Sequence, residues 1–205
     1  MFQVPAIKTA KSMGLKVVVT DYNREAEGML LADYPIEVST RNINLTVNMA
    51  KQFHGSCPLD GVLTVGTDAS QTVAAVADAL NLPGIPFEVA ERATDKIKMR
   101  QVLKANGVPI PDFRPIWTLE ECQQAVRSMP LPLVIKPCDN MGARGVRKIE
   151  RLDDLIPAFR EAKEASISGK LILEEFMEGP ELSLDALVFE DSVHITGVAD
   201  RIIER

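Results

Sequence analysis

The chain has 205 residues, 46% of them hydrophobic and 25% charged, the balance of a globular protein long enough for one or two domains. Its formal charge of −6 argues against a general nucleic-acid surface, which needs a basic face, and no apolar run approaches the roughly 18 residues that span a bilayer. Three scattered cysteines, Cys57, Cys122 and Cys138, form no C-x-x-C pair, which speaks against a disulfide framework or a zinc site. The start has no basic segment leading into an apolar run, so no secretory signal is read there and a reduced, cytoplasmic setting is expected.

In chain order, strand and helix signals alternate. Residues 7–13 read as the end of a helix closed by Gly14, and the β-branched run 16–20 reads as a strand ending on Asp21. A second short strand is expected over 34–38 and a helix over 45–53. Residues 61–65 read as another buried strand, running into Gly66-Thr67-Asp68 and an alanine-rich helix over 70–80. This alternation predicts βαβ units and a parallel sheet. Ligands of such sheets bind at the carboxyl ends of strands, the edge where Asp21 and the 66–68 turn would lie.

Residues 81–86, Asn-Leu-Pro-Gly-Ile-Pro, interrupt both periodicities and predict a boundary between a unit at 1–84 and another at 85–205. In the second unit Thr94 is read as the cap of a helix over 95–106, stopped by Gly107. Thr118 and Glu121 have capping-box spacing and should open a helix to about residue 128. Strands follow at 133–136 and 146–149, a helix at 152–164, and strands near 171–176, 181–189 and 193–198. The second half is therefore read as mixed α+β, with hairpins in place of crossovers.

Three segments of that half carry chemistry. Asp95-Lys96 opens a helix, where backbone N–H groups and a lysine can face phosphate; a capped surface helix with a solvated lysine explains the same residues. Leu133-Val134-Ile135-Lys136-Pro137 ends a strand on a lysine and runs into Cys138-Asp139-Asn140-Met141-Gly142-Ala143-Arg144-Gly145. Two glycines three apart let the backbone turn tightly and bring N–H groups to an anion, while Lys136 supplies charge from one side. An ordinary hairpin with a surface lysine is the competing account. Third, the stretch from Leu173 through Glu174-Glu175-Phe176 and Gly179 to Glu181 can offer an amide and a carbonyl to an adenine edge and a carboxylate to two ribose hydroxyls. An acidic hairpin fits it as well.

Taken together and in order, these segments resemble the ATP-grasp superfamily over nearly the whole chain. The nearest likeness is to the branch holding carbamoyl phosphate synthase-like proteins, biotin carboxylase and the purine-pathway carboxylate ligases, to which residues 3–10 and Val65-Gly66-Thr67-Asp68 also conform. The resemblance implies an α/β chain, with a partial Rossmann-like pre-ATP-grasp domain followed by an incomplete α+β ATP-grasp domain. It implies ATP and Mg2+ as cofactors and small-molecule carboxylate and amine substrates, joined through an acylphosphate. Lys96 and Lys136 would hold phosphates, and Gly142, Ala143, Arg144 and Gly145 would form the closing loop. Glu174, Glu175 and Phe176 would read adenine, by the Glu175 carbonyl and Phe176 N–H with the register open by one residue, and Glu181 would hold ribose. Gly66, Thr67 and Asp68 are the substrate candidates. The resemblance also leads one to expect a first strand and glycine turn ahead of residue 1, and metal ligands beyond Arg205. On that expectation the chain alone does not turn over ATP. A non-catalytic nucleotide-binding module, half of a split enzyme completed by another chain, and a homodimer all stay open. A dinucleotide-dependent oxidoreductase would need G-x-G-x-x-G before Asp21, and that motif is not present.

Overall fold

The structure, a computed structural model, describes residues 3–189 and 192–202. Helix α1 (Val4–Ser12) takes Pro5 into its first turn, where a missing N–H costs nothing. Val18, Val19 and Thr20, β-branched and stiff at χ1, form strand β1 (Val18–Asp21), which lies parallel to β2 (Tyr34–Glu37). The short helix α2 (Glu27–Leu31) connects them, and α3 (Ile43–Ser56) and α4 (Ser70–Leu80) pack side by side. Ala74 and Ala77 of α4 are buried. Helix α5 (Phe87–Thr94) follows the proline-rich segment, and the Gln71 amide donates to Thr94 Oγ1 at 2.6 Å to tie α4 to it.

Residues 61–65 do not form the expected strand. A strand exists only through a ladder with a neighbour, and the first sheet contains β1 and β2 alone. Leu63 and Val65 are exposed. What holds Val65 is a side chain: Gln3 accepts from the Val65 N–H at 3.2 Å and donates to the Val65 carbonyl and to Thr64 Oγ1.

Helix α6 (Lys96–Ala105) is capped by Asp95, whose carboxylate accepts from the N–H groups of Ile97 and Lys98. The expected cap, Thr94, instead ends α5 and turns its hydroxyl back onto the Ala90 carbonyl. An aspartate at N-cap accepts two amides and favours the positive end of the helix, so it takes the position. Gly107 closes α6 at φ +71°. Thr118 and Glu121 make the expected capping box on α7 (Leu119–Ala125).

The second sheet is antiparallel, in the order β3 (Phe113–Ile116), β6 (Leu171–Glu175), β4 (Leu133–Pro137), β5 (Arg147–Ile149). Because side chains alternate across a strand, the register sorts its residues. Leu133, Ile135, Ile149, Leu171 and Leu173 form one face and are fully buried against α7 and α8 (Leu155–Ala165). Each such side chain contributes about 1.5–3 kcal/mol. Val134, Lys136, Ile172 and Glu174 share the opposite face, and there Ile97 of α6 packs on Ile172 and Cys138. Strands β7 (Leu182–Phe189) and β8 (Ser192–Asp200) form a separate hairpin whose apolar residues, Leu184, Leu187, Phe189, Val193 and Ile195 among them, are exposed. No helix among the described residues is long and apolar enough to cross a membrane.

Candidate functional site

The face of the second sheet opposite its core gathers cations around one carboxylate. Glu174 sits opposite Val134 in the register, one pleat from Lys136, a diagonal pair within reach across strands. Its side chain is only 4% exposed and is held by two cations, Arg100 Nε at 2.6 Å from Oε1 and Lys136 Nζ on Oε2. Burial raises the Glu174 pKa, but the bonds from Arg100 and Lys136 outweigh it and hold the carboxyl below the usual glutamate range. Glu174 therefore acts through its ion pairs. Glu175, the next residue, is exposed and its carboxylate accepts from the Asp112 N–H at 3.3 Å.

Lys96 lies one turn before Arg100 on the same face of α6. Its Nζ donates to the Asn140 carbonyl at 2.8 Å and the Cys138 carbonyl at 3.4 Å, so α6 grips the first residues of the glycine loop. Burial first, and then the charge of Lys136, lower the Lys96 pKa below that of a free lysine. The structure thus brings Lys96, Lys136 and Glu174 together, and adds Arg100.

The loop after β4 is anchored at both ends and open in the middle. Asp139 accepts from the N–H groups of Ile167 and Ser168 and from the Ser166 hydroxyl. The Asn140 amide donates to the Ala165 carbonyl at 2.8 Å. Gly142, Ala143 and Gly145 all have φ between +57° and +70°, the region where glycine is least strained. The two glycines differ in role. A Cβ on Gly142 would meet nothing within 4 Å, whereas one on Gly145 would lie 2.5 Å from the Ala165 Cβ. Gly145 is a close-packing position against α8, and Gly142 marks the open tip. Arg144 turns its Nε to the Met141 carbonyl at 3.1 Å.

The hinge residues are differently engaged. The Phe176 N–H donates to the Pro132 carbonyl at 3.2 Å, and the Phe176 ring lies 4.2 Å beneath Lys148 Nζ. Lys148 pairs with Val134 and so shares the face of Lys136, a cation the sequence reading missed. Its signal was the alternation of β5 against β4. Glu181 pairs with Arg201 at 3.1 Å across the β7–β8 hairpin, and among the described residues no hydrogen bond or ion pair joins that hairpin to the four-stranded sheet.

Thr67 and Asp68 are brought together with Thr40, Arg41 and Ala69 around a cleft of about 250 Å³ ahead of α4. Thr67 Oγ1 bonds Thr64 Oγ1 at 2.6 Å, and Gly66 turns the chain at φ +64°. Cys122 and Cys138 are buried free thiols, their pKa values pushed up by desolvation to about 11 and about 12. Among the described residues no three His, Cys, Asp or Glu side chains converge as a metal-binding group. The donor set among the described residues does not fit magnesium.

Residues 7–84 match the ATP-grasp N-terminal domain and residues 93–205 match the ATP-grasp domain. An uncharacterized protein, y4rH, of Sinorhizobium fredii is 30% identical over 151 residues, which is 70% of this chain and 31% of that protein. D-alanine–D-alanine ligase of Marinobacter nauticus is 29% identical over 113 residues, 53% of this chain and 34% of the ligase. Among solved structures, L-amino acid ligase from Bacillus licheniformis superposes with TM-score 0.77 at 25% identity, covering 96% of this chain and 47% of the ligase. The ADP complex of N5-carboxyaminoimidazole synthetase from Staphylococcus aureus shares the fold with TM-score 0.77 at 16% identity, over 99% of this chain and 52% of that one. Biotin carboxylase from Campylobacter jejuni does so with TM-score 0.71 at 20% identity, over 98% and 49%. The chain spans about a third of the length of these curated relatives and about half of these solved chains. A domain match over more than half of its residues makes the chain a member of the ATP-grasp family.

Proposed function

We propose that this chain is the ATP-binding part of an ATP-dependent carboxylate–amine ligase of the carbamoyl phosphate synthase-like kind, organised as a unit at 1–84 and a nucleotide-binding unit at 85–205. The observation that carries the reading is the cluster on the open face of the second sheet, where Arg100 and Lys136 hold a single buried carboxylate and Lys96 is bound to the loop beside it. Lys96, Arg100 and Lys136 against the carboxylates of Glu174 and Asp139 leave a positive surplus of one on this face, and a polyphosphate is held most strongly beside such a surplus where solvent is partly excluded.

In this reading Lys136 and Lys96 take phosphate oxygens, and the Met141–Gly145 amides close over them to exclude water. The Glu175 carbonyl accepts from the adenine amino group. Because the Phe176 N–H is spent on Pro132, the hinge donor shifts by one residue to Met177, which is exposed. Glu181 takes the ribose hydroxyls once it exchanges Arg201 for them. A carboxylate oxygen of the substrate then attacks the γ-phosphorus and ADP leaves. An amine displaces phosphate from the acylphosphate to give the amide. The protein's share is charge neutralisation and orientation. The cleft at Thr67 and Asp68 is the acceptor-substrate candidate. Calorimetric titration with ATP, ADP and adenosine tests the reading. Tighter binding of ATP than adenosine supports it, and equal or absent binding refutes it.

One observation favours a second arrangement. Both faces of the β7–β8 hairpin are exposed, and the one that carries Leu182, Leu184, Val188, Val193, Ile195 and Val198 is apolar; a two-stranded hairpin of that kind is marginal alone. A completing segment, carried by another chain, would cover it. A second polypeptide that co-purifies and restores ADP formation supports this, and ligase activity of the isolated monomer refutes it.

A further inference from the structure

Arg100 belongs to the cationic cluster, and the phosphate-binding account leaves it without a task. It stands one helical turn beyond Lys96, and Ile97 between them pins α6 to the sheet through Cys138 and Ile172. Its Nε meets Glu174 Oε1 at 2.6 Å, while Lys136 occupies Oε2 of the same carboxylate. Glu174 is almost fully buried, so its negative charge must be matched by protein cations. With both cations present, the charge of Glu174 is shared between them. With Arg100 gone, Lys136 would be its only partner, and a lysine that alone neutralises a buried carboxylate is not available to a ligand.

We propose that Arg100 is a positioning residue for nucleotide binding. By keeping Glu174 paired, it lets Lys136 turn from that carboxylate to a phosphate without leaving a buried charge unmatched. Arg100 itself touches no phosphate. The inference rests on the ATP-binding reading above and adds a residue to it. It also explains why an arginine suits the position: a guanidinium stays charged when desolvated and engages a carboxylate through fixed donors.

The test compares ATP and adenosine binding to the full chain as wild type, Arg100→Met, Arg100→Gln and Arg100→Lys. Arg100→Met should weaken ATP about tenfold or more, the scale of one charge-assisted contact, and leave adenosine within about twofold, since the loss travels through Lys136 to the phosphates. Arg100→Gln keeps a donor toward Glu174 and so protects the fold if the Met variant does not fold. It should weaken ATP selectively as well, because a neutral donor does not share the charge. Arg100→Lys should recover most of the ATP affinity. A merely structural arginine predicts something else, equal losses for ATP and adenosine or no loss in the folded variants. Either result overturns the inference while leaving the ATP-binding reading intact. If wild type itself fails to prefer ATP over adenosine, both fall.

Discussion

Replacing Glu174 by glutamine removes one buried negative charge and keeps the shape of the side chain. Its 4% exposure compares with 19% for Arg100 and 20% for Lys136, so the variant leaves two largely desolvated cations facing each other across a neutral amide. Breaking a buried ion pair by removing one partner costs about 3–5 kcal/mol. Here the two cations keep a fifth of their surface in water and the amide oxygen still accepts a hydrogen bond, which brings the expected loss to about 2–3 kcal/mol. In a chain of this size that lowers the midpoint of thermal unfolding by about 4–12 °C. The loss should depend on pH with a definite sign. The Glu174 pKa lies below that of the unfolded chain, so the folded protein binds fewer protons than the unfolded one across that interval. Its contribution to stability is therefore complete above the ordinary glutamate value of about 4.3, and it is lost as pH falls through the folded value. Urea unfolding of wild type and Glu174→Gln at pH 7, repeated at stepped acidic pH, measures both effects. The curves should be well separated at pH 7 and approach each other in acid. A variant within about 0.5 kcal/mol of wild type at pH 7, or a gap that widens in acid, refutes the reasoning.

Other outcomes follow from the same geometry. Lys136→Ala should weaken ATP by about 1.5–3 kcal/mol, the worth of a charge-assisted bond to phosphate, and calorimetry showing unchanged affinity would remove Lys136 from the phosphate role. Glu181→Gln should weaken ATP more than it weakens an analogue lacking the ribose hydroxyls, and equal losses would free Glu181 from ribose. Gly145→Ala should destabilise by about 2 kcal/mol or more, through overpacking and a strained φ, because its Cβ would meet Ala165 at 2.5 Å. Gly142→Ala faces open space and should cost only about 1 kcal/mol of left-handed strain. The reverse order in denaturant titrations would contradict the assignment of Gly142 as the open tip and Gly145 as the packed base.

What the sequence made legible was local. Leu133-Val134-Ile135-Lys136 alternates as a strand should, and β4 places Lys136 on the open face as that alternation requires. Thr118 and Glu121 announced their capping box, and Gly107 its helix stop. The misses were tertiary in origin. Residues 61–65 have a strand's composition, but composition cannot supply a neighbour, and Gln3 satisfies Val65 instead. Glu174 is assigned to the adenine hinge in the sequence, and only its register opposite Val134 and the packing of α6 reveal that its side chain is buried and ion-paired. Arg100 is not among the candidates read from the sequence. Its four-residue spacing from Lys96 was the one sign that both face the sheet. The short elements α2, α5 and β3 carry too few periodic residues to stand out from the loops around them.

If the open face of the second sheet holds the phosphates of ATP between Lys96 and Lys136, those two amines lie beside the phosphate chain. An acyl-phosphate derivative of ATP, which transfers its acyl group to a lysine amine beside the terminal phosphate, tests this directly when followed by peptide mass spectrometry. The account predicts acylation at Lys136 or Lys96, suppressed by excess ATP but not by adenosine. Acylation confined to other lysines, or unaffected by ATP, would contradict it.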